Sequence, residues 1–337
     1  MPTGPSARAV LAVAAMVGGL LVTTHGPASA VTVDGLHRPT GTSVAPPPAT
    51  GYFRTSPAGA WRELPGGRHC QSLVHHSTWE PRPDNIGPNG RMPDRRAVHA
   101  AFRARPLSGD GSFLPRWDSW LLPRVTGHYT GTTDEIFQWA ACKWGIADNV
   151  LRAVAVREST WYQYEVYPSG RCVTDWGCGD FVDTATAATR TFCSAISTQG
   201  HDYQADYGAG LCPETFSIAG VMSWQNPDWG RLADNQNGTF PFNRDSTAFA
   251  VDYLAANLRG CYEGWSPWLD DAGPTPYSAG DLWGCVGNWY AGEWRTERAL
   301  GYVHRVRTEL RRHTWLQSDW PDVGPSCSPT YGCPRGS

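Results

Sequence analysis

Residues 144–161 read Trp144-Gly145-Ile146-Ala147-Asp148-Asn149-Val150-Leu151-Arg152-Ala153-Val154-Ala155-Val156-Arg157-Glu158-Ser159-Thr160-Trp161. At 3.6 residues per turn, Val150, Leu151, Val154 and Glu158 share one helix face, while Asn149 and Arg152 are expected to point elsewhere. The spacing predicts a helix from about Asp148 to Glu158, with a carboxylate at its C-terminal end on the apolar stripe itself. Desolvation and the negative end of the helix both disfavour the charged form of such a group, so its pKa is expected above the ordinary carboxylate range. A general acid working near neutral pH needs that property. The alternative for Glu158 is a carboxylate at a frayed helix end that bends out to solvent or pairs with a nearby arginine.

Working outward, Thr132-Thr133-Asp134-Glu135 supplies a cap and an acidic first turn. Ile136, Trp139, Ala140 and Cys142 follow, and Lys143 and Gly145 close the segment, which predicts a second helix immediately upstream. Further helices are predicted at 183–197, 246–259 and 293–312, the last with Ala299, Val303, Val306 and Leu310 on one face. Strand signals are few, so the fold class is mainly α.

The N-terminal thirty residues carry one charge, Arg8, then an apolar run over 9–22 and the small-residue exit Ala28-Ser29-Ala30. That order fits a cleaved export signal over 1–30 and is short for a membrane span. Residues 31–60, rich in Pro, Gly, Thr and Ala, are expected to form an unstructured leader. Residues 61–125 are expected to wrap as an irregular extension on the main domain, with Trp79, Phe102, Trp117 and Trp120 as anchors. The helical domain then spans 126–315, and a cysteine-containing tail covers 316–337. The expected product is a secreted monomer with no stable membrane association after signal removal.

The ten cysteines all follow the signal, and their even number suits disulfides formed in an oxidising compartment. Cys172–Cys178 and Cys327–Cys333 are spaced too widely for the short pairs of a zinc site, and neighbouring pairing within each is one arrangement among several. Lys143 is the only lysine, and the chain carries a net charge of −3, which argues against a nucleic-acid partner. The sequence holds no H-E-x-x-H, no G-x-S-x-G and no phosphate-binding glycine loop. His75-His76 reads as part of a solvated loop. Asn237-Gly238-Thr239 spells a glycosylation acceptor that a bacterial protein is not expected to use.

Glu158-Ser159-Thr160-Trp161, after an apolar helix introduced by Trp144-Gly145-Ile146, resembles the Glu-Ser-x-Phe/Trp motif of soluble lytic transglycosylases and goose-type lysozymes. Two further segments follow in that family's order. Ser217-Ile218-Ala219-Gly220-Val221-Met222-Ser223 is similar to its Ser-x-x-Gly-Leu-Met-Gln turn, and Asn288-Trp289-Tyr290-Ala291-Gly292 to its Ala-Tyr-Asn-x-Gly segment. The matches cover roughly residues 130–315. The resemblance implies a lysozyme-like fold that cleaves the β-1,4 bond between N-acetylmuramic acid and N-acetylglucosamine in peptidoglycan glycan strands. It implies no metal and no cofactor.

By this resemblance Glu158 is the catalytic acid and then base, helping the muramoyl 6-hydroxyl close an anhydro ring. Ser159, Trp161, Met222, Ser223, Trp224, Gln225, Asn288, Trp289 and Tyr290 are the candidate substrate-binding residues. The chain departs from the family where Ser223 replaces the terminal Gln, with Gln225 two residues on, and where Trp289 and Tyr290 stand at the Tyr and Asn positions. A hydrolytic lysozyme would need a second carboxylate, for which Asp175, Asp180 and Asp183 are the candidates, although each better suits a turn or cap. A wall-binding protein that keeps the fold without turnover is the remaining alternative. Of the seventeen tryptophans, most are expected in the core or at its rim, Trp224 and Trp289 being the best candidates for stacking on sugars.

Overall fold

Two helices that are buried along nearly their whole length organise the protein. In the computed structural model, which describes residues 44–104, 115–164, 182, 184–197, 202–223 and 237–320, seven helices of ten or more residues stand out. They are α1 (Arg95–Ala104), α2 (Thr133–Trp144), α3 (Asp148–Ser159), α4 (Ala187–Ser197), α5 (Thr247–Tyr262), α6 (Leu282–Ala291) and α7 (Glu297–Arg312). The described residues belong to one unit, and the fold is mainly α as expected. No helix among the described residues is long and apolar enough to cross a membrane.

Helix α2 starts where Thr132 and Glu135 form a reciprocal capping box and stops where Gly145 takes the left-handed conformation. All twelve of its residues are buried. It packs against α3 and α5, α7 lies on α3, and α6 lies against both α5 and α7. The ends of α3, α6 and α7 near Glu158 therefore hang from one continuous core. A two-stranded hairpin, β1 (Thr215–Phe216) and β2 (Val221–Met222), pairs Thr215 with Met222 and Phe216 with Val221 around the turn Ser217–Gly220. Phe216 anchors it in a smaller second cluster with Phe192, Tyr203 and Phe240.

Three disulfides are described: Cys70–Cys142, Cys193–Cys212 and Cys261–Cys285. The first ties the extension to α2, the second closes the smaller cluster, and the third joins α5 to α6. Cys172, Cys178, Cys327 and Cys333 lie outside the described residues, as does their pairing.

The buried charges are arranged as networks of opposite partners. Lys143 reaches Asp252 at 2.6 Å, and the same carboxylate accepts Trp144 Nε1 at 2.6 Å and the Thr126 and Gly127 amides at 2.8 and 3.0 Å. Burial lowers the Lys143 pKa to about 8 against the opposing pull of Asp252. Arg152 joins Asp134 of α2 to Asp148 of its own helix, both at 2.8 Å. The expectation that Asn149 and Arg152 face away from the core is therefore corrected: α3 is buried through residue 156, and Arg152 is inside because two aspartates meet it there.

Other boundaries move for similar reasons. The leader expected to be detached through residue 60 is already packed by residue 49. The Ala49 carbonyl accepts Asn149 Nδ2 at 2.8 Å, and Tyr52 N donates to the Asp148 carboxylate at 2.8 Å, so the segment pairs with the two side chains of the first turn of α3. The extension is an integral part of the core, since Val98, Phe102, Trp117, Leu121 and Val125 join the main cluster. Trp320 belongs there too, beyond the boundary expected at 315. Helix α4 begins at Ala187 and α7 at Glu297, where Thr296 caps it. Helix α6, capped by Asp281 and ended by left-handed Gly292, was not expected as a helix. Its Trp- and Gly-rich composition lacks a clean period.

Candidate active site

Glu158 sits in the last turn of α3, half-buried, while Arg157 beside it is the one exposed residue of that helix. The chain then turns sharply: Thr160 and Trp161 both have positive φ, 50° and 69°, which non-glycine residues adopt only when held. The clamp comes from the extension. Arg82 Nε donates to the Thr160 carbonyl at 2.9 Å, and Asn85 donates to the Trp161 carbonyl at 2.6 Å and accepts from Gln163 N at 2.9 Å. The Arg82 guanidinium is itself sandwiched between Tyr162 and Trp320, 4.5 and 4.3 Å from the ring centres.

Two elements distant in sequence close on the Glu158 carboxylate. The hydroxyl of Tyr302, from the buried face of α7, donates to Oε1. Burial, followed by the neighbouring negative charge and this hydrogen bond, holds the Tyr302 pKa well above that of a free phenol, so the hydroxyl keeps its proton. On the other side lies the hairpin turn. Gly220 has φ of +60°, and a Cβ built on it would come 2.6 Å from Glu158 Oε2. Glycine thus lets the backbone approach the carboxylate and supplies the left-handed conformation of the turn.

The candidate residues divide into those that build this corner and those that face outward. Ser159 is 1% exposed, and its hydroxyl donates to the Ile218 carbonyl at 3.0 Å, so it latches α3 to the hairpin turn and does not meet a ligand. Ser223 is fully buried, its Oγ accepting Asn243 Nδ2 at 2.9 Å. Trp161 is also fully buried, its indole N–H spent on the Arg152 carbonyl at 2.9 Å and its ring packed with Phe137, Trp79, Trp315 and Trp320. The expectation that these three side chains touch substrate is corrected: each polar group is used internally, as burial requires.

Met222 is half-buried on β2, and its carbonyl takes hydrogen bonds from Thr239 at 2.9 Å and Asn237 at 3.0 Å. Asn288 is half-buried on α6. Trp289 donates from Nε1 to the Ala219 carbonyl at 3.1 Å, fixing α6 to the turn that holds Gly220. Tyr290 is 44% exposed and stacks face to face on Tyr302, with ring centres 4.6 Å apart and an interplanar angle of 3°. Trp224, Gln225, Asp175, Asp180 and Asp183 lie outside the described residues.

Sequence reasoning missed Tyr302 and gave Gly220 no role. A signal for Tyr302 exists in its placement between Ala299, Val303 and Val306 on the apolar stripe of α7, where a phenol needs a partner for its hydroxyl. Nothing in the local sequence names that partner, 144 residues away.

The corner can hold one carboxylate in a fixed rotamer, with a protonated hydroxyl on one oxygen and a close backbone turn at the other. Such a group can pass a proton to a bound molecule and take one back. Among the described residues no group of three or more His, Cys, Asp or Glu side chains is placed to hold a metal ion. No protein-family model, curated protein or solved structure matches this chain.

Proposed function

We propose that this protein is a secreted, lysozyme-like enzyme that cleaves peptidoglycan glycan strands at the β-1,4 bond between N-acetylmuramic acid and N-acetylglucosamine. Support comes from Glu158, whose carboxylate is gripped by Tyr302 and lies against Gly220 of the second resembling segment, while Trp289 of the third reaches the same turn. Three segments that carry the family resemblance thus converge on one carboxylate. The disulfides suit an oxidising compartment.

In the proposed reaction Glu158 donates its proton to the leaving glycosidic oxygen as the bond to the muramoyl C1 breaks. The resulting carboxylate then takes the proton of the muramoyl 6-hydroxyl, whose oxygen closes on C1 to give the anhydro sugar. Tyr302 keeps its own proton and orients Oε1 throughout, and no water is consumed. A second reading, a wall-binding protein without turnover, draws on Ser223, which replaces the family's Gln and is spent on Asn243.

Mass spectrometry of material released from purified peptidoglycan separates the readings. Anhydro-muropeptides produced by the parent and absent with Glu158→Gln are expected. Reducing-end products would indicate hydrolysis. No release, with retention on insoluble wall, would leave the binding reading.

A further inference from the structure

Gln163, two residues beyond the left-handed Trp161, is a fully buried amide that the proposed chemistry does not use. Both polar atoms of its side chain are engaged, and the partners come from distant parts of the chain. Its Oε1 accepts from Ile218 N at 3.3 Å, in the hairpin turn, and its Nε2 donates to the Asn243 and Arg244 carbonyls, both at 2.9 Å. Its backbone N–H donates to Asn85 Oδ1 of the extension at 2.9 Å. Asn243 in turn holds β2, donating from Nδ2 to the Val221 carbonyl at 2.8 Å and to Ser223 Oγ at 2.9 Å. Ile218 is gripped from both sides, because Ser159 Oγ reaches its carbonyl at 3.0 Å.

The backbone that Gln163 joins is strained. Thr160, Trp161 and Ser217 are three of the five non-glycine residues with positive φ among the described residues, and Ser217, at 84°, opens the turn that ends at Gly220. Such conformations persist only where the surroundings hold them. The Ser217 carbonyl accepts the Gly220 N–H at 3.0 Å, so a hold on Ile218 within this turn is also a hold on Gly220. A Cβ at Gly220 would stand 2.6 Å from Glu158 Oε2, and small movements of the turn therefore register at the carboxylate. A primary amide suits the task because one planar group both accepts from the Ile218 N–H and donates to two carbonyls.

We propose that Gln163 is a positioning residue: by fixing the Ser217–Gly220 turn against the chain that leaves α3, it sets how closely the Gly220 backbone approaches the Glu158 carboxylate. This rests on the proposed acid and base role of Glu158. It adds that the rate, and not the affinity for the strand, depends on a side chain whose own hydrogen bonds go elsewhere.

Two variants of the mature protein test this. Gln163→Met keeps the length and removes both hydrogen-bonding atoms. Gln163→Asn keeps the amide but falls one methylene short of its partners, and gives the same reading should Gln163→Met not fold. Muropeptide release and amide hydrogen exchange followed by NMR are measured for each. The kcat is expected to fall about a hundredfold, as for a displacement near 1 Å, with KM within about twofold of the parent's. Exchange at the Gly220 amide is expected to quicken about tenfold more than at the amides of α2. The parent's kcat, a loss that lies in KM, or exchange that quickens equally in α2 would overturn the proposal and leave Gln163 a residue of general stability. Exchange needs no turnover, so the two readings fail separately. If the parent releases nothing, quickening confined to the turn upholds the positioning role and sinks the enzymatic reading alone; release that the variants match sinks the role of Gln163 alone.

Discussion

Gly220 offers the sharpest test of how the site is built. In Gly220→Ala the new Cβ would lie 2.6 Å from Glu158 Oε2, closer by about 0.7 Å than an ordinary carbon–oxygen contact. Backbone on that side is fixed by the hairpin, by the Ser159 latch and by Trp289 on Ala219, so the carboxylate is the part that must move. Moving it disturbs the Tyr302 hydrogen bond, and displacement of a catalytic group approaching 1 Å costs about a hundredfold in rate. The left-handed φ adds a stability cost of about 1 kcal/mol that has nothing to do with Glu158. Gly292 isolates that second cost: its φ is +66°, and a Cβ there would meet nothing within 4 Å. Thermal melts and initial rates of muropeptide release would be measured for both variants. Both are expected to lose similar stability, while Gly220→Ala alone loses about a hundredfold in kcat. If the two variants lose rate equally, Gly220 is merely a turn glycine and its contact with the carboxylate has no catalytic weight.

Three further outcomes are expected. Tyr302→Phe keeps the ring stacked on Tyr290 and removes the hydroxyl on Glu158 Oε1. A hydrogen bond to a charged group contributes about 1.5–3 kcal/mol, so kcat should fall by tenfold or more with circular dichroism unchanged; an unaltered kcat would refute the positioning role. Lys143→Met leaves Asp252 buried with only neutral donors, and urea unfolding should show a loss of about 3–5 kcal/mol, whereas a loss below about 1 kcal/mol would mean that the carboxylate is satisfied without its cation. Glu80 has its pKa raised to about 7, chiefly by burial, despite hydrogen bonds from the Thr133 and Arg82 amides. Its folded pKa lies above the unfolded value, so folding takes up a proton and stability falls as pH rises from about 4.5 to about 7. Glu80→Gln should flatten that part of the urea-midpoint profile, and a profile parallel to the parent's would assign the slope to other groups.

Helices with a local mechanism were legible from sequence. The Thr132–Glu135 capping box and left-handed Gly145 bracket α2, and the run from Val150 to Val154 marks α3, because caps and apolar stripes act between residues three or four apart. Where a decisive partner comes from afar, local pattern misleads. Arg152 reads as a surface arginine until Asp134 and Asp148 are seen to enclose it. Residues 49–56 read as linker until their backbone groups are seen to meet Asp148, Asn149 and Arg259. Ser159 and Ser223 read as polar groups at a site, yet both hydroxyls are consumed in holding the hairpin.

By itself the sequence determined the mainly α class and the helix that carries Glu158, since these depend on periodicity and capping. Only the tertiary structure decided what surrounds the carboxylate. Tyr302 arrives from α7 and Gly220 from a hairpin, while Arg82 and Asn85 arrive from an extension with little periodicity of its own. These contacts join segments dozens of residues apart. No local energy term encodes which distant donor a half-buried carboxylate will meet; packing of the whole core selects it.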